Sequence, residues 1–139
     1  MKPGYRFIDH TADFRLEIFG VDEEDLFVRA AMALTDLITD PAMLKGRRRQ
    51  NLTVNGDDWP DLMVNWLREL LYLWSGEERL VCGVTLKSLE STQIVAMVTT
   101  DAFRAGGHPI RNEIKAVTYH QIEVCPWQTG WRARVVFDI

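Results

Sequence analysis

Trp131-Arg-Ala-Arg-Val-Val-Phe-Asp-Ile139 alternates with period two, so Ala133, Val135, Phe137 and Ile139 share one face of a strand while Arg134, Val136 and Asp138 share the other. On this reading Ile139 is anchored in the core and its α-carboxylate is held beside the Asp138 side chain as a second anionic group. The other end of the chain has a matching character. Two apolar extended runs, Tyr5-Arg-Phe-Ile8 and Phe14-Arg-Leu-Glu-Ile18, flank Asp9-His10-Thr11-Ala12-Asp13. A turn this polar is expected at a sheet edge, where its side chains stay wet and can reach a ligand.

Working inward, extended segments are expected at residues 5–8, 14–19, 49–54, 81–89, 94–100, 114–124 and 132–137. Two helices interrupt them. Residues 22–39 open on Asp22-Glu23-Glu24-Asp25, acid that suits the positive end of a helix dipole, and carry Leu26, Ala30, Ala33, Leu34, Leu37 and Ile38 on one stripe before Pro41. Residues 58–75 begin with Asp58 and Pro60 and carry an unusually wide apolar arc from Leu62 to Trp74, which predicts cover on more than one side. The order β-β-α-β-α-β-β-β-β predicts one α+β domain over residues 1–139, with a mixed, mainly antiparallel sheet covered on one face by two α-helices. Residues 101–112, with Gly106-Gly107 and Pro109, read as a mobile loop.

A chain of 139 residues is long enough to build a core without a disulfide or metal staple. Its net charge of −4 argues against coating nucleic acid by bulk electrostatics. Cys82 and Cys125 have no metal-ligand spacing and no secretory leader precedes Tyr5, so a reduced, cytoplasmic setting is expected. The most apolar stretch, Leu62 to Trp74, is broken by Asn65, Arg68 and Glu69, so no membrane span is expected.

Two constellations could carry chemistry. Asp9, His10 and Asp13, brought near Asp138 and the terminal carboxylate, would offer a hard cation several oxygens and one nitrogen; the plainer reading is a local turn with solvated acids. Lys115 opens the run Lys115-Ala-Val-Thr-Tyr-His120 and could hold a carboxylate or phosphate, or could be an edge lysine in water. Strand parity sets Lys115 and His120 on opposite faces, so they form no dyad. Arg47-Arg-Arg49 reads as a solvated rim, and Trp127 as the tryptophan most open to solvent. No nucleophile-and-base, phosphate-loop or dinucleotide motif is present.

The chain resembles the archease family along essentially its full length. The resemblance rests on Tyr5 to Asp13, on the acidic helix through Ala30-Ala-Met-Ala-Leu34 to Leu37-Ile-Thr-Asp40, on Leu67-Arg-Glu-Leu-Leu-Tyr72, and on Glu113 to His120 together with Phe137-Asp-Ile139. It implies a non-catalytic protein that activates an RtcB-type RNA ligase, promoting guanylylation of the ligase from GTP and repeated turnover in tRNA splicing or RNA repair. It also implies a bound divalent cation, typically calcium, at Asp13, Asp138 and the Ile139 carboxylate, with Lys115 joining Asp13 and Asp138 as ligase-activating groups; Asp9 and His10, taken from the turn itself, would be accessories. Thr100-Asp101 stands where many members carry Gly-Glu, and residues 102–110 follow the family pattern poorly. Two rival readings are a metal-dependent phosphoester hydrolase, which would turn over substrate alone, and a small RNA-binding or chaperone module, which would bind RNA in a salt-sensitive way.

Overall fold

The computed structural model describes residues 4–9 and 13–139, with the backbone alone for residues 6–9. Both expected helices form. Helix α1 (Glu23–Ile38) starts at Asp22, whose side chain accepts the Asp25 amide, while the Asp25 carboxylate accepts the Val21 amide at 2.9 Å. Helix α2 (Trp59–Ser75) repeats the device, with Asp58 accepting the Asp61 amide at 2.9 Å and Asp61 accepting the Asp57 amide at 2.8 Å. Amides that a helix start leaves unpaired are satisfied, and acid sits where the dipole is positive. Asp58→Ala is therefore expected to cost about 1 kcal/mol, read as a thermal midpoint lower by roughly 4 °C.

The strands are β1 (Tyr5–Asp9), β2 (Asp13–Gly20), β3 (Arg48–Asn55), β4 (Arg79–Glu90), β5 (Gln93–Ala102), β6 (Ala116–Trp127) and β7 (Gly130–Asp138). A short 3-10 turn over Pro41–Met43 precedes β3. The α+β class holds, but the strands divide into two sheets, ordered β1-β2-β7-β6 and β3-β5-β4, and all pairings among the described residues are antiparallel. Side-chain alternation locates strands without naming their partners, and here β3 joins the free edge of the β4–β5 hairpin.

Both helices touch both sheets: α1 packs on β2, β7 and β4, and α2 packs on β6, β3, β4 and β5. This accounts for the wide apolar arc of α2, whose Leu62, Trp66, Leu67, Leu70 and Leu73 are all buried within the domain. The Trp66 indole donates to the Phe27 carbonyl at 3.0 Å and ties α2 to α1. Leu16 and Ile18 of β2 and Ala133, Val135 and Phe137 of β7 face the same core. Ile139 does not. It is 38 % exposed, one residue beyond Asp138, where β7 and its ladder end.

The segment expected to be a mobile loop is anchored instead. It caps the end of α1, where a helix leaves carbonyls without partners. Arg111 donates its amide to the Ile38 carbonyl at 2.7 Å, the Asn112 side chain donates to the Leu37 carbonyl at 2.7 Å, and the Thr39 hydroxyl donates to the Pro109 carbonyl at 2.6 Å.

Candidate functional site

Antiparallel register brings the start of β2 and the end of β7 together. Asp13, the first residue of β2, lies directly opposite Asp138, the last residue of β7, and Ala116 of β6 lies on the other side of Asp138. The carboxylates share a face. Asp13 has the parity of Glu17 and Asp138 that of Arg134, and Glu17 and Arg134 pair at 3.0 Å on the face of the sheet turned away from the helices. Directly opposed residues of an antiparallel pair have Cβ atoms roughly 5 Å apart, and like charges so placed repel. The Arg15 guanidinium, 3.3 Å from Asp13, relieves part of this and donates onward to the Gln121 side chain at 3.0 Å.

Two facing carboxylates in water suit a hard cation, which takes oxygen ligands in irregular geometry and fills the rest of its shell with water. Among the described residues no group of three or more His, Cys, Asp or Glu side chains is arranged to hold a metal ion. Asp13 and Asp138 are the described residues that could hold such an ion, two side chains and no more. His10 and the Asp9 side chain, named above as accessories, lie outside the described residues; the Asp9 backbone is opposite Arg15.

Lys115 joins the same corner. Its amide donates to the Asp138 carbonyl at 2.8 Å, which fixes where its exposed side chain departs from the backbone. The segment after it is held by α2. Arg68 donates Nε to the Val117 carbonyl at 3.1 Å and lays its guanidinium over the Tyr119 ring, 4.6 Å from the centroid, while the Tyr119 hydroxyl donates to Asp61 at 2.6 Å. That hydrogen bond, reinforced by the Asp57 amide, holds the Asp61 carboxyl below the usual carboxylate range and pushes the Tyr119 phenol up. Between the pairs Thr118–Val136 and Glu123–Arg134, residues 119–122 of β6 stand opposite Val135 alone, a wide bulge with Gln121 at φ 53°. Sequence reasoning missed Arg68, Tyr119 and Asp61 as organisers of this corner; the period of α2 placed Arg68 on no special face.

A second polar cluster steadies the approach to Lys115. Asp101 and His108 are buried, with Asp101 Oδ2 3.2 Å from His108 Nε2, 3.6 Å from Arg104 and accepting the Lys45 amide at 2.9 Å. His108 Nδ1 accepts the Arg104 amide at 3.1 Å, so a neutral ring with its hydrogen on Nε2 serves both partners. Burial by itself raises the Asp101 carboxyl, but the Lys45 amide and the nearby positive charge, Arg104 foremost, outweigh it and hold the group below its ordinary value.

The model of the Archease protein family matches residues 5–139. The chain belongs to the archease family. Its relatives include the protein archease of Methanosarcina mazei, 32 % identical across 97 % of this chain and 95 % of that one, and that of Thermoplasma volcanium, 35 % identical across 97 % and 98 %. The solution structure of Methanobacterium thermoautotrophicum protein 1598 superposes with a TM-score of 0.81 at 26 % identity, covering 99 % of this chain and all of that one. A Thermotoga maritima archease, described as a possible chaperone, shares the fold with a TM-score of 0.65 at 21 % identity, over 96 % of each chain. In this archease, three of the four segments that carried the resemblance meet at the corner: the start of β2, the start of β6 with the end of β7, and Arg68 on α2.

Elsewhere the expectations are simpler to place. His120 is exposed on the bulge and Arg47, Arg48 and Arg49 are exposed beside the 3-10 turn. Trp127 is 41 % exposed, with the Arg132 guanidinium 3.9 Å from its ring centroid. Both cysteines are free thiols, and no helix among the described residues is long and apolar enough to cross a membrane.

Proposed function

We propose that this archease is a non-catalytic activator of an RtcB-type RNA ligase, and that Asp13, Asp138 and Lys115 form the group it presents to the ligase. The observation that carries the reading is the register pair Asp13–Asp138, two acids set face to face beside a lysine whose backbone is hydrogen-bonded to one of them. Opposed carboxylates weaken a sheet, so their placement serves something other than stability. Where Ile139 ends the chain, its α-carboxylate supplies a third acid. A divalent cation, calcium by the family resemblance, would draw these oxygens together and present positive charge towards phosphate.

The chain's own residues then position rather than react. Lys115 is a compact cation on a flexible stem, suited to a phosphate oxygen of a nucleotide. Phosphoryl transfer is accelerated mainly by orientation and fixed charge, so a second protein can promote transfer of GMP to a ligase without forming a covalent intermediate itself. Cytoplasmic tRNA splicing or RNA repair is the proposed setting.

The test mixes the protein with ligase, GTP and manganese and follows ligase-GMP formation over repeated turnovers. Wild-type protein is expected to restore turnover, and Lys115→Ala to reduce the stimulated rate by about a hundredfold. Undiminished stimulation by Lys115→Ala removes that residue from the proposal. Turnover of phosphoesters by the purified chain alone would favour the hydrolase reading.

A further inference from the structure

We propose that the cleft between the end of α2 and residues 103–115 is the docking site for the ligase, and that it receives an apolar side chain carried beside lysine or arginine on the rim of the ligase active site. The inference rests on the activator reading above and names the surface through which it works. The cleft holds about 550 Å³ and is lined by Trp74, Phe103, Ile110, Glu78, Glu113 and Lys115, among others. Four observations on these residues point to that occupant.

The first is continuity. Lys115 belongs both to the cleft wall and to the acidic corner, because its amide is bonded to Asp138. A partner that engages Lys115 is therefore in reach of the cleft as well. The second is shape. Trp74 and Phe103 stack edge-to-face with centroids 5.3 Å apart, and Ile110 is 40 % exposed against them. Such a floor suits one inserted leucine or aromatic ring, the kind of central anchor that carries most of the energy of a protein interface.

Charge is the third. Glu113 and Lys115 are exposed on either side of the buried Ile114 and line the cleft together with Glu78, and Glu77 is exposed next to Glu78. Carboxylates outnumber the single lysine on this rim, and the whole chain is acidic. An enzyme that joins RNA ends must gather phosphates, and its active-site rim is basic for that reason. Complementary potentials then guide encounter and fix orientation. The fourth is rigidity. The Phe103 amide donates to the Glu78 carbonyl at 2.9 Å, the Glu78 amide to the Trp74 carbonyl at 2.9 Å, and residues 109–112 are bonded along the end of α1, so docking orders little that is loose.

The larger cleft of about 700 Å³ fits this partner less well. It lies at the opposite end of β7, around Glu17, Trp127 and Arg132, and its charges are already spent on each other: Glu17 with Arg132 and Arg134, and Glu123 with Arg132.

The experiment measures two quantities for purified ligase and the full chain: the dissociation constant by calorimetry, and the plateau rate of ligase-GMP formation at saturating activator. Ile110→Asp, which puts a charge in the apolar floor, and Glu113→Lys, which reverses the rim, are each expected to weaken binding about tenfold while the plateau stays at the wild-type level. Circular dichroism and thermal unfolding check that both variants are folded; the sites are exposed, so both should be. Added salt should weaken wild-type binding more than that of Glu113→Lys. Wild-type affinity in both variants overturns the proposal, as does a change in self-association by sedimentation in place of a change in ligase affinity, since the occupant would then be a second copy. If wild-type protein binds the ligase without stimulating it, the activator reading fails and the docking site is judged by the variants' dissociation constants alone. If it does not bind at all, both fail.

Discussion

Asp138→Asn is expected to move stability in opposite directions with and without a divalent cation. In chelator, Asp13 and Asp138 face each other as like charges, an arrangement that costs a cross-strand pair a few tenths of a kcal/mol to about 1 kcal/mol. Asparagine removes the repulsion, so the variant should unfold at the same temperature as wild type or roughly 2 °C higher. Calcium reverses the order. A cation bound to the folded chain alone contributes about 2.7 kcal/mol when present at a hundred times its dissociation constant, which raises the wild-type midpoint by roughly 10 °C. The variant, with half of the facing pair gone, should gain little. Asp13→Asn tests the same pair less cleanly, because it also removes the partner of Arg15. Differential scanning calorimetry over a calcium series reads both effects. A wild-type midpoint that ignores millimolar calcium, or an equal rise in Asp138→Asn, would remove the cation from this corner.

That the two acids meet was legible in part. Period-two alternation in residues 131–139 and 13–19 gives parity, and parity puts Asp13 with Glu17 and Asp138 with Arg134, but only register decides that the strands are neighbours and that positions 13 and 138 coincide. Parity failed where burial depends on what lies overhead. Val136, on the outward face, is buried where the extra residues of the β6 bulge lie beside it, and Ile139, on the inward one, is exposed one residue beyond the end of β7. The helices were read correctly from their acidic starts and apolar stripes, since Asp22 and Asp58 cap them as those residue types do. The division into two sheets was not legible: nothing local in residues 48–55 says that their partner is β5.

The loop shows a different limit. Gly106-Gly107 and Pro109 correctly mark an absence of regular structure, yet Phe103, His108, Arg111 and Asn112 all have long-range or buried partners that composition cannot show. An irregular backbone was mistaken for an unattached one. Thr100 and Asp101, the point of departure from the family's usual residues, prove to be buried at the root of that loop, so the departure has its own set of partners to satisfy.

Asp101→Asn should for this reason be the most destabilising single change in the loop, with an expected loss of about 3–5 kcal/mol, the cost of removing one partner of a buried charged network. The carboxylate gathers the Lys45 amide, His108 and Arg104 on one oxygen, all of them donors. Asparagine is neutral, and with its oxygen kept on these donors its amide nitrogen takes the place of Oδ1, which is buried without a hydrogen-bond partner among the described residues, so the charge is lost and two N–H donors are left unsatisfied. Calorimetry should show a midpoint lower by roughly 15 °C. The pH dependence gives an independent check. Because the folded Asp101 holds its proton less tightly than the unfolded chain does, its contribution is complete above the unfolded value near about 4 and is lost as the pH falls through the lower folded value. The stability gap between wild type and Asp101→Asn should be constant from neutral pH down to about 5 and narrow below about 4. Asp61 and Glu123, which are also held low, lose stability in the same acid range in both proteins and cancel from the difference. A gap that persists unchanged into strong acid would mean that Asp101 acts by filling space. The functional consequence follows from the chain path: residues 109–112 cap α1 and lead directly into Glu113 and Lys115, so loosening their root should weaken ligase binding even at temperatures where the two sheets and both helices remain folded.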